Sequence, residues 1–264
     1  MSLVAVVGDA ATTTTLALAA SWPDETLVVE ADPTGGSMAA WLDLPASPTL
    51  STVVTRAPAA GWPAVEQLAH DAPSGIRVVP APVRTIEAVR AVAEAERCVF
   101  AVAADLDRPV VLVDAGAPTP AYGPPGVLEA AGVAVVVHRQ CHHSARAAAV
   151  RLERFAELVD VVVATGVAVV VGVVGDAPFE PEEILRFVSP ELADSAPELV
   201  VLPDDPLAAA VLAGRSGVSA RRLTRLPLMR AAMPAASTIA AVLTAERSVA
   251  GGRRRRTDRP ESVR

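Results

Sequence analysis

Residues 3–20 read LVAVVGDAATTTTLALAA. Five apolar residues run without interruption into Gly8. Four threonines (Thr12, Thr13, Thr14 and Thr15) then lead into a second apolar segment that begins at Leu16. An unbroken valine-rich run suits a β-strand buried on both faces, because a strand with one wet face would alternate polar and apolar residues. The alanine- and leucine-rich segment that follows suits a helix. The unit is therefore strand, loop, helix, with the loop at residues 8–13.

The same pattern recurs along the chain. Further strands are expected at 27–30, 76–80, 110–114, 133–137, 167–174 and 199–202. Helices are expected at 13–21, 37–42, 84–104, 144–158, 181–188, 207–213 and 238–246, while 43–75 is rich in proline, alanine and short helical pieces. Such alternation gives a doubly wound, mostly parallel α/β sheet with helices on both faces. Residues 1–250 are expected to form one such domain. Residues 251–264 are expected to be a disordered arginine-rich tail, uncoupled from the body by Gly251 and Gly252. Ligands of these sheets bind beyond the carboxyl ends of the strands, so the informative loops are 8–13, 31–37, 114–126, 138–144, 175–180 and 203–206.

Composition narrows the chemistry. The chain has 264 residues, 52% of them hydrophobic, which excludes wholesale disorder and allows a full core without metals or disulfides. It contains no lysine and no asparagine. A Schiff-base lysine, an amine general base and the phosphate-gripping lysine of a standard P-loop are thereby ruled out. Two cysteines, Cys98 and Cys141, make no disulfide framework, and a reducing cytoplasm is the expected setting. The first residues lack a basic region, so no signal peptide is expected. The longest arginine-free apolar stretch, 161–174, is too short to span a bilayer. Charge is uneven: the last fourteen residues carry a net +4 and the rest −11. The body would repel nucleic-acid phosphate, and only Arg253–Arg256 would attract DNA or an anionic membrane.

The loop at 8–13 has the makings of a phosphate cradle, with a glycine, a helix N-terminus with free N–H groups, and threonine hydroxyls. It also has a simpler explanation, in which Thr12 or Thr13 caps the helix and nothing binds. Other constellations are weaker. His138, Cys141, His142 and His143 cluster after the fifth strand, but adjacent histidines rarely converge on one metal. Gly35-Gly36-Ser37-Met38-Ala39 lacks the second glycine of a nucleophile elbow. Trp22, Trp41 and Trp62 suit core or lid packing, and Arg221, Arg222 and Arg225 a solvated face.

Four segments together resemble the MinD/ParA family of positioning and partitioning ATPases. Val6-Val7-Gly8 through Thr14-Thr15-Leu16-Ala17 stands where that family has its deviant Walker A. Val28-Val29-Glu30-Ala31-Asp32-Pro33-Thr34-Gly35-Gly36-Ser37, then Trp41-Leu42, resembles its second strand and switch I. Val110-Val111-Leu112-Val113-Asp114-Ala115-Gly116 resembles its Walker B strand. Leu202-Pro203-Asp204-Asp205-Pro206, then Ala213-Gly214-Arg215, resembles the late strand and the loop around the base. More narrowly, the chain resembles actinobacterial MinD-like proteins in which threonines replace the Gly-Lys of the loop, a kind that includes positioning factors of Flp/Tad pilus systems.

The resemblance implies ATP or ADP with Mg²⁺ as cofactors. It implies Gly8, Ala10, Ala11, Thr12, Thr13, Thr14, Thr15, Asp176 and Pro203 as nucleotide-binding positions. Thr14, Asp32 and Asp114 would hold Mg²⁺, and Asp32 would orient water in catalysis. The P-loop lysine falls on Thr13 and the signature lysine near Gly8, which argues against hydrolysis and against ATP-driven dimerisation. Two readings follow. One is a non-hydrolysing or weakly nucleotide-binding scaffold for a protein partner, in chromosome partitioning, cell division or pilus assembly. The other is a genuine ATP-dependent switch. A homodimer fits either.

Overall fold

The valine runs form a sheet because both of their faces are covered. The computed structural model describes residues 2–117, 126–140, 144–188, 198–215 and 220–257. Eight strands lie in the order β3-β4-β2-β5-β1-β6-β7-β8. They are β1 (Leu3–Gly8), β2 (Thr26–Glu30), β3 (His70–Asp71), β4 (Arg77–Val79), β5 (Val110–Asp114), β6 (Val133–Arg139), β7 (Ala168–Val174) and β8 (Glu198–Leu202). Every pairing is parallel except β3 with β4. The doubly wound sheet expected from the sequence is therefore present.

Alternate residues of β1 feed two separate cores. Leu3, Ala5 and Val7 pack in one, with Leu50, Val53, Ala91, Phe100, Leu152, Phe155 and Ile184. Val4 and Val6 pack in the other, with Leu16, Leu18, Leu212, Leu228, Met229, Ile239 and Leu243. The first face is covered by α3 (Leu50–Ala60), α5 (Thr85–Ala95), α8 (Ala145–Val163) and α9 (Pro181–Val188). The second is covered by α1 (Ala11–Ser21), α10 (Pro206–Leu212) and the last helix, α12 (Pro227–Thr257). Shorter pieces are α2 (Met38–Trp41), α4 (Trp62–Gln67), α6 (Ala101–Asp105), α7 (Val127–Ala130) and α11 (Ala220–Leu223). Trp22 and Trp62 are buried in these cores.

Three features depart from the sequence expectations. The single helix expected at 84–104 is interrupted by a π-helical turn, Glu96–Phe100, between α5 and α6. The two-residue strand β3 was not anticipated. The last helix, Pro227–Thr257, is 31 residues long, begins well before the helix expected at 238–246, and runs through Gly251 and Gly252. Extending an existing helix needs no new nucleus, and arginine is a good helix former, so two glycines at roughly 1 kcal/mol each do not end it. Residues 258–264 lie outside the described residues.

Residues 227–249 of α12 are long and apolar enough to cross a membrane by length and composition. Leu228, Met229, Ala232, Ala235, Ala236, Ile239 and Leu243 recur at helical spacing and are buried against the sheet and α1. That is the pattern of an amphipathic core helix.

Candidate functional site

Strand order reverses at β1, which has β5 on one side and β6 on the other. A crevice opens at such a point because the helices of the two neighbouring connections leave in opposite directions. Here it is a cleft of about 580 Å³, lined by the first loop and α1, by Asp32, Ser37 and Trp41, and by Arg139, Pro203, Asp204, Asp205 and Arg215.

The first loop begins at a position only glycine can fill. Gly8 has φ +127°, and a Cβ there would come within 2.1 Å of the Val137 carbonyl oxygen. The loop enters α1 without a side-chain cap: Ala10 is the N-cap residue and neither Thr12 nor Thr13 caps the helix. The helix N-terminus therefore faces the cleft with Ala10, Ala11, Thr12, Thr13 and Thr14 on its wall. Thr15 is turned into the core, where its hydroxyl has no hydrogen-bond partner.

Thr12 does something other than cap. Its hydroxyl donates to Asp114 Oδ2 at 2.7 Å, and the backbone N–H of Gly116 donates to Oδ1 at 3.1 Å. Asp114 is fully buried and is not part of the cleft wall. Burial pushes its carboxyl up to about 7. The Thr12 and Gly116 bonds oppose this, while the negative charges of Glu30 and Asp32 add to it.

Glu30 is the register neighbour of Asp114 on β2 and is also buried. Its Oε1 accepts the backbone N–H groups of Ser37 (2.7 Å) and Met38 (2.9 Å), and its Oε2 accepts that of Ala81 (2.9 Å). One carboxylate thus joins the loop after β2 to the loop after β4. Burial raises its pKa, the three N–H bonds pull it back, and the Asp32 charge raises it further. Asp32 stays on the cleft wall, where its Oδ1 accepts the N–H (2.8 Å) and hydroxyl (2.7 Å) of Thr34.

The far wall carries the cations. Arg139, at the end of β6, pairs with Asp204 at 2.7 Å, and Arg215 donates to the Ala40 carbonyl at 3.2 Å. Asp205 caps α10 through the N–H of Ala208 and also accepts the N–H of Leu228 at the start of α12. Asp9 sits beside Gly8 and pairs with Arg151 of α8 at 2.6 Å. Four aspartates and two arginines therefore line the cleft.

The arrangement brings together most of the positions named from the sequence. Gly8, Ala10, Ala11, Thr12, Thr13, Thr14, Asp32 and Pro203 share the cleft. Asp176 does not: it is exposed beyond Gly175, outside the lining. Thr15 and Asp114 lie beneath it. His138 is buried against Phe155, with ring centroids 4.9 Å apart. Cys141, His142 and His143 lie outside the described residues, among which no His/Cys/Asp/Glu group is placed to hold a metal. Sequence reasoning missed Glu30, Gln140 and Arg139 as site residues. Each is a polar side chain at or just past the end of an apolar run, and that abrupt ending was the available signal.

The site suits phosphate and cation unequally. Free N–H groups at the start of α1 fit an anion. For a cation, Thr14 and Asp32 stand on the cleft wall, whereas Asp114 lies beneath it with its Oδ2 bonded to the Thr12 hydroxyl.

No protein-family model matches the chain, and no curated protein does. Solved structures match its fold. A ParA-family ATPase from Chlorobium tepidum superposes with a TM-score of 0.60 at 14% identity, over 89% of this chain and 96% of that one. The MinC:MinD cell division protein complex of Aquifex aeolicus gives 0.56 at 15% identity, covering 91% and 96%. The McdA–ATP complex of Cyanothece gives 0.55 at 15%, covering 90% and 96%. The fold is that of MinD/ParA ATPases.

Proposed function

We propose that this chain is a MinD/ParA-like positioning or partitioning scaffold of the cytoplasm. It docks a protein partner and binds nucleotide weakly or without hydrolysing it. The observation that carries this reading is the first loop itself. It keeps the fold's N-terminal cradle, yet none of its own residues is cationic, and its Thr12 hydroxyl donates to Asp114. Phosphoryl transfer depends on positive charge at the transferred group. The two arginines on the cleft wall are engaged with Asp204 and the Ala40 carbonyl. One of the fold neighbours is a complex of MinD with MinC, which supports docking of a second protein as the use of such a fold.

A second reading, an ATP-dependent switch in partitioning, division or pilus localisation, is favoured by the volume of the cleft and by Asp32 on its wall. McdA, a neighbour in fold, has been solved with ATP. Calorimetric titration of ATP and ADP, with and without Mg²⁺, separates the two. The scaffold reading expects no heat, or a weak Mg²⁺-independent signal. Micromolar, Mg²⁺-dependent binding lost in Asp32→Ala would overturn it.

In either reading Arg253–Arg256 is proposed as a contact for DNA or an anionic membrane, and a homodimer as the working form. Removing residues 251–264 is expected to flatten the salt dependence of any DNA binding.

A further inference from the structure

We infer that a second cavity, on the α8 side of the first loop, binds a small organic carboxylate through Arg154. The site lies apart from the nucleotide chemistry of the cleft and goes beyond the scaffold reading. Its ligand is an acid with a short apolar body, either free in solution or carried on a protein side chain.

The cavity measures about 290 Å³, near the lower end of small-molecule sites. Gly8 and Asp9 line both this cavity and the cleft. Helix α8 supplies another wall with Arg151, Arg154, Phe155 and Leu158. Those positions lie three or four apart, so one stripe of the helix faces the space. Asp9 and Arg151 pair at 2.6 Å and offset each other. Arg154 is exposed and, among the described residues, has no ion pair and no hydrogen bond. The wall therefore carries a net positive charge, on a body whose first 250 residues carry −11. A guanidinium grips a carboxylate through two parallel N–H bonds. Val137, Phe155 and Leu158 would cover a short carbon chain behind that group. A bare inorganic anion would leave these apolar walls wet.

His138 gives an independent sign of a missing ligand. Its side chain is 2% exposed, and its Nδ1 has no hydrogen-bond partner. The ring packs on Phe155, and the charges that act on it are those of Asp9 and Arg151, all three of them wall residues. A buried polar atom left unpaired is a cost that a ligand atom or a water relieves. Burial lowers the imidazole pKa, so near neutrality the ring offers a hydrogen bond and not a second charge. Charge recognition therefore rests on Arg154.

Butyrate is the probe, with butyramide as its uncharged isostere. Each is titrated against the full chain without nucleotide, and binding is read from NMR line broadening of the ligand. Butyrate is expected to bind saturably, and butyramide at least about tenfold more weakly, the scale of one hydrogen bond to a charged group. Arg154→Gln is expected to weaken butyrate by a similar factor. Arg90→Gln removes the same charge from an exposed site on α5 and is expected to leave the affinity within about twofold. Butyramide binding as tightly as butyrate overturns the inference, and this arm needs no variant to fold. Equal weakening in R154Q and R90Q overturns it as well, because bulk charge alone would then explain the binding. A capped polyglutamate peptide separates the two sources. Peptide binding that is tighter than butyrate and lost in R154Q assigns the carboxylate to a docked protein. Butyrate binding without peptide binding assigns it to a free metabolite.

Discussion

Two side chains hold the loops at the ligand edge of the sheet, one on either side of β1. On the β2–β5 side, Glu30 accepts three backbone N–H groups and joins the loops after β2 and β4. On the β6–β7 side, Gln140 donates to the carbonyls of Gly175 (3.2 Å) and Phe179 (2.9 Å) and accepts the Phe179 N–H (2.9 Å), joining the loops after β6 and β7. The task is the same but the chemistry is opposed. Glu30 meets donors only, so a carboxylate suits it. Gln140 meets donors and acceptors together, so only an amide serves both. The charged stitch lies next to Asp114 and Asp32 and is strained electrostatically by them. The neutral stitch carries no such cost. The buried carboxylates thus lie on one half of the site, while the other half carries its charge in exposed pairs such as Arg139–Asp204.

Four experiments probe this asymmetry. Glu30→Ala is expected to have the largest effect. It orphans three N–H groups at about 1–3 kcal/mol each, so a loss of about 5 kcal/mol in denaturant unfolding is expected. A loss below about 1 kcal/mol would mean the loops stand without the stitch.

Asp114→Asn is expected to change the pH dependence of stability. Asp114 keeps its proton to about pH 7 when folded and releases it near 3.8 when unfolded. Its contribution to stability is therefore complete below about pH 4 and vanishes as pH rises through 7. The change is on the order of 4 kcal/mol across that window. The variant should lack this fall, so stability curves of the two proteins, measured from pH 4 to 8, should cross or converge. Parallel curves would show that Asp114 is charged throughout.

On the opposite half, Gln140→Leu is expected to cost about 2–3 kcal/mol, because it leaves the Phe179 N–H and two carbonyls unmatched. Gln140→Glu should cost more at pH 8 than at pH 5, since an ionised carboxylate would face two carbonyl oxygens. Equal losses at both pH values would break the contrast between the two stitches. The smallest effect is expected for Arg247→Ala, which removes the exposed pair with Asp107 and should shift stability by less than about 0.5 kcal/mol.

The sheet was readable because its strands are unbroken apolar runs. The limits expected for Val110–Asp114 and Pro181–Val188 are those observed. The strand His70–Asp71 was not readable, since two residues carry no period and are held there only by β4. The first loop was placed where the structure has it. The resemblance named Thr14 with Asp114 as cation ligands, and the hydroxyl that bonds Asp114 in the structure is that of Thr12. Adjacent threonines in a first helical turn point a third of a turn apart, and only the position of α1 against β5 selects among them. Glu30 was visible as the last residue of an apolar run, but three bonds to distant backbone depend on where residues 36–38 and 81 arrive. Asp176 was aligned by its place after a strand, and the chain turns it outward at Gly175.

The last helix has a geometric consequence. It starts beneath the cleft, where Leu228 N–H meets Asp205, and at Arg247 it reaches Asp107, just before the N-terminal end of β5. Thirty-one residues of helix span roughly 45 Å. The helix therefore ends, at Thr257, on the side of the molecule opposite the cleft. A surface gripped by that side would leave the cleft pointing away from it, toward the interior of whatever compartment the surface bounds.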